Sequence, residues 1–154
     1  MGVRKLPVPG NVYCIPLLGK QQFGSCLLAA IKKGPLEAGF IRVYGTITAA
    51  EQIPPITIDP IAELFCTLDL IRRRIWSLAG KVEAPIDMLH DFELFTSHSI
   101  LPCTIYGSAN IASLIEAFNG LRPWDEMADP NYYTKMLLDD VVPKSSSVVK
   151  HLPS

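Results

Sequence analysis

Residues 9–35 read PGNVYCIPLLGKQQFGSCLLAAIKKGP, and this stretch decides the fold class. Pro9-Gly10-Asn11 is a turn signal, and it opens a strand-like apolar run from Val12 to Leu18. Gly19-Lys20-Gln21-Gln22 interrupts the run with polar residues, and Phe23 to Ile31 forms a second run closed by Lys32-Lys33-Gly34-Pro35. Two such runs with four residues between them predict a β-hairpin. Working outward, Phe40 to Ile47 predicts a third strand, with Arg42, Tyr44 and Thr46 on one parity and Ile41, Val43 and Ile47 on the other. Pro54-Pro55 then breaks the chain. Short strands in this order predict a twisted, mostly antiparallel sheet or a partly closed small barrel.

The rest of the chain is read against that sheet. Between Ile56 and Ala79 the pattern admits two readings. Ile61, Leu64, Phe65, Leu68, Ile71, Ile75 and Leu78 fit a helical template. Leu64-Cys66-Leu68 and Trp76-Leu78 alternate as a strand does, and Asp69 to Arg74 is a polar break. Residues 81–106 read as irregular, with short apolar pieces at Phe92 to Phe95 and Cys103 to Tyr106. Asn110 to Phe118 predicts a short amphipathic helix, stopped by Asn119-Gly120. Asp129-Pro130 predicts the start of a last helix running to about Asp139, because aspartate caps free N–H groups and proline fits the first turn. The expected class is α+β, with one or two C-terminal helices packed on the sheet. Residues 1–142 are expected to form a single domain, and 143–154, with Ser145-Ser146-Ser147, a flexible C-terminal tail.

Composition bounds the function. The 154 residues are 49% hydrophobic and 19% charged, with a mean hydropathy of +0.25. Disordered chains have the opposite balance. No apolar stretch approaches the roughly 20 residues of a membrane-spanning helix. Net charge is -1, which gives no general attraction to nucleic acid. The charge is unevenly spread. Residues 1–36 carry Arg4, Lys5, Lys20, Lys32 and Lys33 and no acid, whereas residues 75–140 carry ten acids against three bases, a net of -7. That asymmetry predicts an acidic face. The N-terminus MGVRKLPVPG has no apolar core of a secretory signal, and Leu6 stands where myristoylation wants Ser or Thr. Cys14, Cys26, Cys66 and Cys103 form no CxxC and sit among apolar neighbours, so they read as buried thiols. A reducing cytoplasm is the expected compartment.

Motifs for catalysis are missing from the sequence. It holds no GxSxG, no GxxxxGK[ST], no GxGxxG and no HExxH. His90, Asp91 and His98 are the residue types that bind borderline metal ions, but their spacing matches no metal signature, and no metal or cofactor is expected. Cys103 lies five residues from His98, yet Pro102 and its apolar flank argue for burial rather than a Cys–His nucleophile. Arg72-Arg73-Arg74 has the chemistry of a phosphate clamp, but only Trp76 accompanies it, so it reads as a solvated helix end or turn. Trp76 and Trp124 read as core or rim packing.

Two separated patterns resemble a known family. Gly10-Asn11-Val12-Tyr13-Cys14-Ile15-Pro16-Leu17, followed by Phe23-Gly24-Ser25-Cys26-Leu27, resembles the opening hairpin of the immunity protein 26 family of bacterial polymorphic-toxin systems. Gly120-Leu121-Arg122-Pro123-Trp124, running into Ala128-Asp129-Pro130 and on to Leu137, is similar to the family's glycine-leucine, tryptophan and helix-starting aspartate-proline. Arg74 to Gly80 resembles a family strand with a tryptophan and a closing glycine, which favours strand for Leu64–Leu68 and Trp76–Ala79. Asn11 stands where the family usually has an acid.

The resemblance implies a cytoplasmic binding protein that neutralises a cognate protein toxin without catalysis, and without nucleic-acid or membrane partners. Asp87, Asp91, Glu93, Asp125 and Glu126 are the expected contact residues, drawn from the acidic region. The alternatives are a small phosphotriesterase-like hydrolase, whose ligands would come from His90, His98, Asp87 and Asp91, and a homo-oligomeric adaptor.

Overall fold

A computed structural model describes residues 7–17, 22–33, 37–49, 60–97 and 104–142, with backbone only at 90 and 94–97. Four strands follow one another as an antiparallel meander: β1 (Asn11–Pro16), β2 (Phe23–Lys32), β3 (Ala38–Thr48) and β4 (Pro60–Cys66). A short helix, α1 (Asp69–Arg72), leads to β5 (Ser77–Lys81), which lies antiparallel to β1. Helix α2 (Ile86–Ser97) follows, then β6 (Ile105–Tyr106), parallel to β4, and helices α3 (Ser108–Phe118) and α4 (Tyr132–Met136). The strand order is β5-β1-β2-β3-β4-β6, so the sheet is open, with β5 and β6 at its edges. The fold is α+β. Of the two shapes the strand pattern allowed, it is the open sheet and not the barrel.

The hairpin lies where the turn chemistry put it. Val12 faces Leu27 and Pro16 faces Phe23. The first strand ends at Pro16, and Leu17 N still donates to Gln22 O at 3.1 Å across the hairpin. Gly10 has φ +98°, a conformation open to glycine. Its N–H donates to Leu28 O at 2.7 Å and its carbonyl accepts from Val82 N at 2.8 Å, so it fastens the start of β1 between β2 and the end of β5.

Both faces of the sheet are buried, which is why β2 and β3 are apolar on both parities. On one face Tyr13, Ile15, Cys26, Leu28, Ile41 and Val43 pack against Ile111, Leu114 and Ile115 of α3 and Tyr133 and Met136 of α4. The approach of α3 is close. A methyl group on Gly24 would lie 2.6 Å from Ile115 Cδ1. On the other face Val12, Leu27, Phe40, Tyr44 and Phe65 form a second core with Met88 of α2, and Phe92 packs against it. Phe40, Phe65 and Phe92 make a ring cluster with centroids 5.0–6.1 Å apart.

Helix α2 corrects the reading of 81–106 as irregular. Among its described side chains, Met88 and Phe92, one turn apart, face inward, while Ile86 and Leu89 point outward. Apolar residues on both sides of a helix blur the amphipathic period. The ambiguous stretch divides into strand β4, helix α1 and strand β5. The β4–β5 connection buries Leu68, Ile71 and Trp76 on the α3 side, so Trp76 is core, as expected. Arg72, Arg73 and Arg74 are exposed at the end of α1, where Arg72 pairs with Glu37 and Arg74 has φ +59°.

Helix α3 starts two residues before its expected position. Ser108 N donates to Thr67 Oγ1 at 2.9 Å and Ser108 Oγ to Asp69 Oδ1 at 2.7 Å, so residues after β4 supply the cap. Helix α4 is shorter than expected. Asp129 does accept from Asn131 N, but Leu137 turns extended and Leu138 N donates to Ile61 O at 2.9 Å, which draws the chain off the helix and onto β4. No described helix is long and apolar enough to cross a membrane. The expected tail, 143–154, lies outside the described residues.

Candidate functional site

The five expected contact acids fall into two groups on opposite faces of the sheet. Asp87, Asp91 and Glu93 are on α2. Asp125 and Glu126 lie in the loop between α3 and α4, where Trp124 and Met127 pack on the other core. A single flat partner surface cannot meet all five.

The α2 group is organised by Arg42. This residue shares the parity of Phe40 and Tyr44, so it points to the α2 face, and in the ladder it stands opposite Glu63. Its Nη2 lies 3.3 Å from Glu63 Oε1 and 3.2 Å from Asp87 Oδ2. One guanidinium nitrogen therefore ties β3 to both β4 and α2. Arg42 and Glu63 are each 13% exposed, whereas Asp87 is 72% exposed. Arg42 Nε and Glu63 Oε2 are buried with no hydrogen-bond partner. Burial raises the Glu63 carboxyl above its ordinary range. Arg42 opposes that shift, and the charges of Asp91 and Asp87 add to it. Burial also raises the Tyr44 phenol, again with Arg42 in opposition.

The second group is a bracket within the fold. Glu126 accepts from the hydroxyl of the fully buried Tyr133 and lies 3.2 Å from Arg122 Nη1. The same Arg122 nitrogen donates to Ser113 Oγ at 2.7 Å, and its Nε lies 3.6 Å from the buried Glu116. Trp124 closes the bracket, donating to Thr134 Oγ1 at 3.0 Å and packing its ring at a tilt against Tyr133, centroids 5.4 Å apart. Burial, helped by the Glu126 bond, pushes the Tyr133 phenol up to about 12. These contacts tie the loop after α3 to α4 and give Trp124 its packing place, while α4 itself begins at Tyr132, with Asn131 and not Asp129 at its N-cap.

No family model, no curated protein and no solved structure matches this chain.

The other candidate chemistries are placed as follows. Cys14, Cys26 and Cys66 are buried thiols outside any disulfide. Burial raises Cys26 well above its ordinary value and Cys66 to about 12, so neither supplies a thiolate at neutral pH. His98, Cys103 and the side chain of His90 lie outside the described residues. Among the described residues no three or more His, Cys, Asp or Glu side chains are grouped to hold a metal ion. The Arg42–Glu63 pair was missed in the sequence. The available signal was one arginine and one glutamate set in apolar strands, FIRVYG and PIAELFC.

Proposed function

We propose that this chain is an immunity-type protein that binds and neutralises a cognate protein toxin in the cytoplasm, by contact rather than by catalysis. The observation that carries the reading is the outer side of α2. Ile86 is 84% exposed and Leu89 38%, and they stand among the carboxylates of Asp87 and Glu93. Large apolar side chains with a charged surround are the anatomy of a protein contact, with an apolar centre and a polar rim. The resemblance of the opening hairpin and of the Trp124 to Asp129 segment to the immunity family supports the same reading. A neutralising complex of ordinary size buries roughly 1,200–2,000 Å². Complementary charge speeds its association.

The test is calorimetry with the toxin encoded beside this chain, together with a titration of toxin activity. The expected result is nanomolar binding, about -12 kcal/mol, with activity abolished at one equivalent. Absence of binding and undiminished toxin activity would overturn the proposal.

A further inference from the structure

We infer that the outward face of α2 is the docking surface, and that its occupant is a basic patch of the partner protein. This rests on the proposed toxin-binding reading and deepens it. Three stripes run along the helix. Met88 and Phe92 face the second core. Asp87 and Asp91, one turn apart, stand beside Arg42 and Glu63, as the ion pair and the electrostatics of Glu63 show. Ile86 and Leu89 face outward, 84% and 38% exposed among the described residues.

Charge selects the occupant. The helix carries Asp87 and Asp91 and no lysine or arginine, and among the described residues Arg42 is the cation that opposes its neighbour Glu63. Among the described residues, acids therefore outnumber cations beside this apolar centre. A lysine or arginine of the partner, set beside Asp87 and Asp91, corrects that imbalance while Ile86 and Leu89 are desolvated. A second copy of this chain offers the same acids and meets them with repulsion. Glu126 is excluded as a contact by its place in the Arg122–Tyr133 bracket on the far side of the sheet.

The tested variants are Ile86→Asp and Leu89→Arg, with Asp140→Lys as a surface control. Binding to the toxin encoded beside this chain is measured by calorimetry at low and high salt, and folding by thermal melts. The wild type is expected to bind more weakly as salt rises. Each α2 variant is expected to lose about 30-fold or more in affinity, with an unchanged melt, while the control binds as the wild type does. Wild-type binding that the α2 variants retain would overturn the docking face and leave the toxin-binding reading standing. Binding indifferent to salt would overturn the basic partner. A wild-type dimer that Ile86→Asp splits would assign the face to a second copy instead. No binding by the wild type would overturn both readings.

Discussion

Arg42 on β3 and Glu63 on β4 face each other across the ladder, and the nitrogen that pairs them also reaches Asp87 on α2. A charge pair of this kind is set by register. A slip of β3 by one residue would turn Arg42 to the α3 side and take Ile41 and Val43 out of that core.

Removing one member of the pair leaves the other buried and uncompensated. Arg42→Met is expected to destabilise the fold by roughly 2–4 kcal/mol at neutral pH, measured by urea unfolding. The loss should shrink near pH 4, where Glu63 takes a proton and no longer needs the guanidinium. The double variant Arg42→Met, Glu63→Leu should recover most of the stability. Equal losses at both pH values would count against this account of the pair.

Glu63 and Asp69 give opposite pH signatures. Glu63 is raised in the folded state, so its contribution is fully present below the unfolded value and is lost as pH rises through the folded one. Glu63→Gln should therefore compare better with the wild type at pH 7 than at pH 4. Asp69 is lowered, first by the hydrogen bond from Thr67 and then by that from Ser108. Its contribution is present above the unfolded value and is lost as pH falls through the folded one. Asp69→Asn should be destabilising at pH 7, and the deficit should close in strong acid. Denaturation midpoints across pH 2–8 check both signs.

Gly24 tests how closely α3 approaches the sheet. Gly24→Ala places a methyl group 2.6 Å from Ile115 Cδ1, and overpacking of this kind costs about 1–3 kcal/mol. Ile115→Val, which removes that atom, should restore part of the loss when combined with it. A neutral Gly24→Ala melt would show that α3 can yield at that point.

Arg74 is the described non-glycine residue with a positive φ, 59°. Glycine adopts that conformation without strain. Arg74→Gly should stabilise the fold by about 0.5–1 kcal/mol, read as a higher melting temperature. A lower one would mean that the Arg74 side chain makes a contact worth more than the strain.

Much of the sheet was legible because its signals are local. Pro9-Gly10-Asn11 and the polar break before Phe23 fix a hairpin without reference to anything distant. Asn119-Gly120 stops α3 as expected, with Gly120 at φ +77° and Leu121 N donating back to Glu116 O. The features that were not legible depend on partners far along the chain. The start of α3 is set by Thr67 and the end of α4 by Ile61, each more than forty residues away from the position it governs. The division of the five acids between two faces follows from strand order and from the place of α2, and neither is written in charge spacing. Arg42 could be assigned a parity from sequence, but its partners Glu63 and Asp87 come from other elements.

The meander of β1 to β4 uses nearest neighbours in the chain, whereas β5 returns to β1 and α2 comes later still. A chain leaving the ribosome can therefore pair its first four strands while the residues of α2 are still in the exit tunnel. During that interval Val12, Leu27, Phe40 and Phe65 form a sticky sheet surface without a roof, and the β1 edge is open to strangers. The nascent protein would be most in need of chaperone protection then, and the need ends when Met88 and Phe92 emerge and close over that surface.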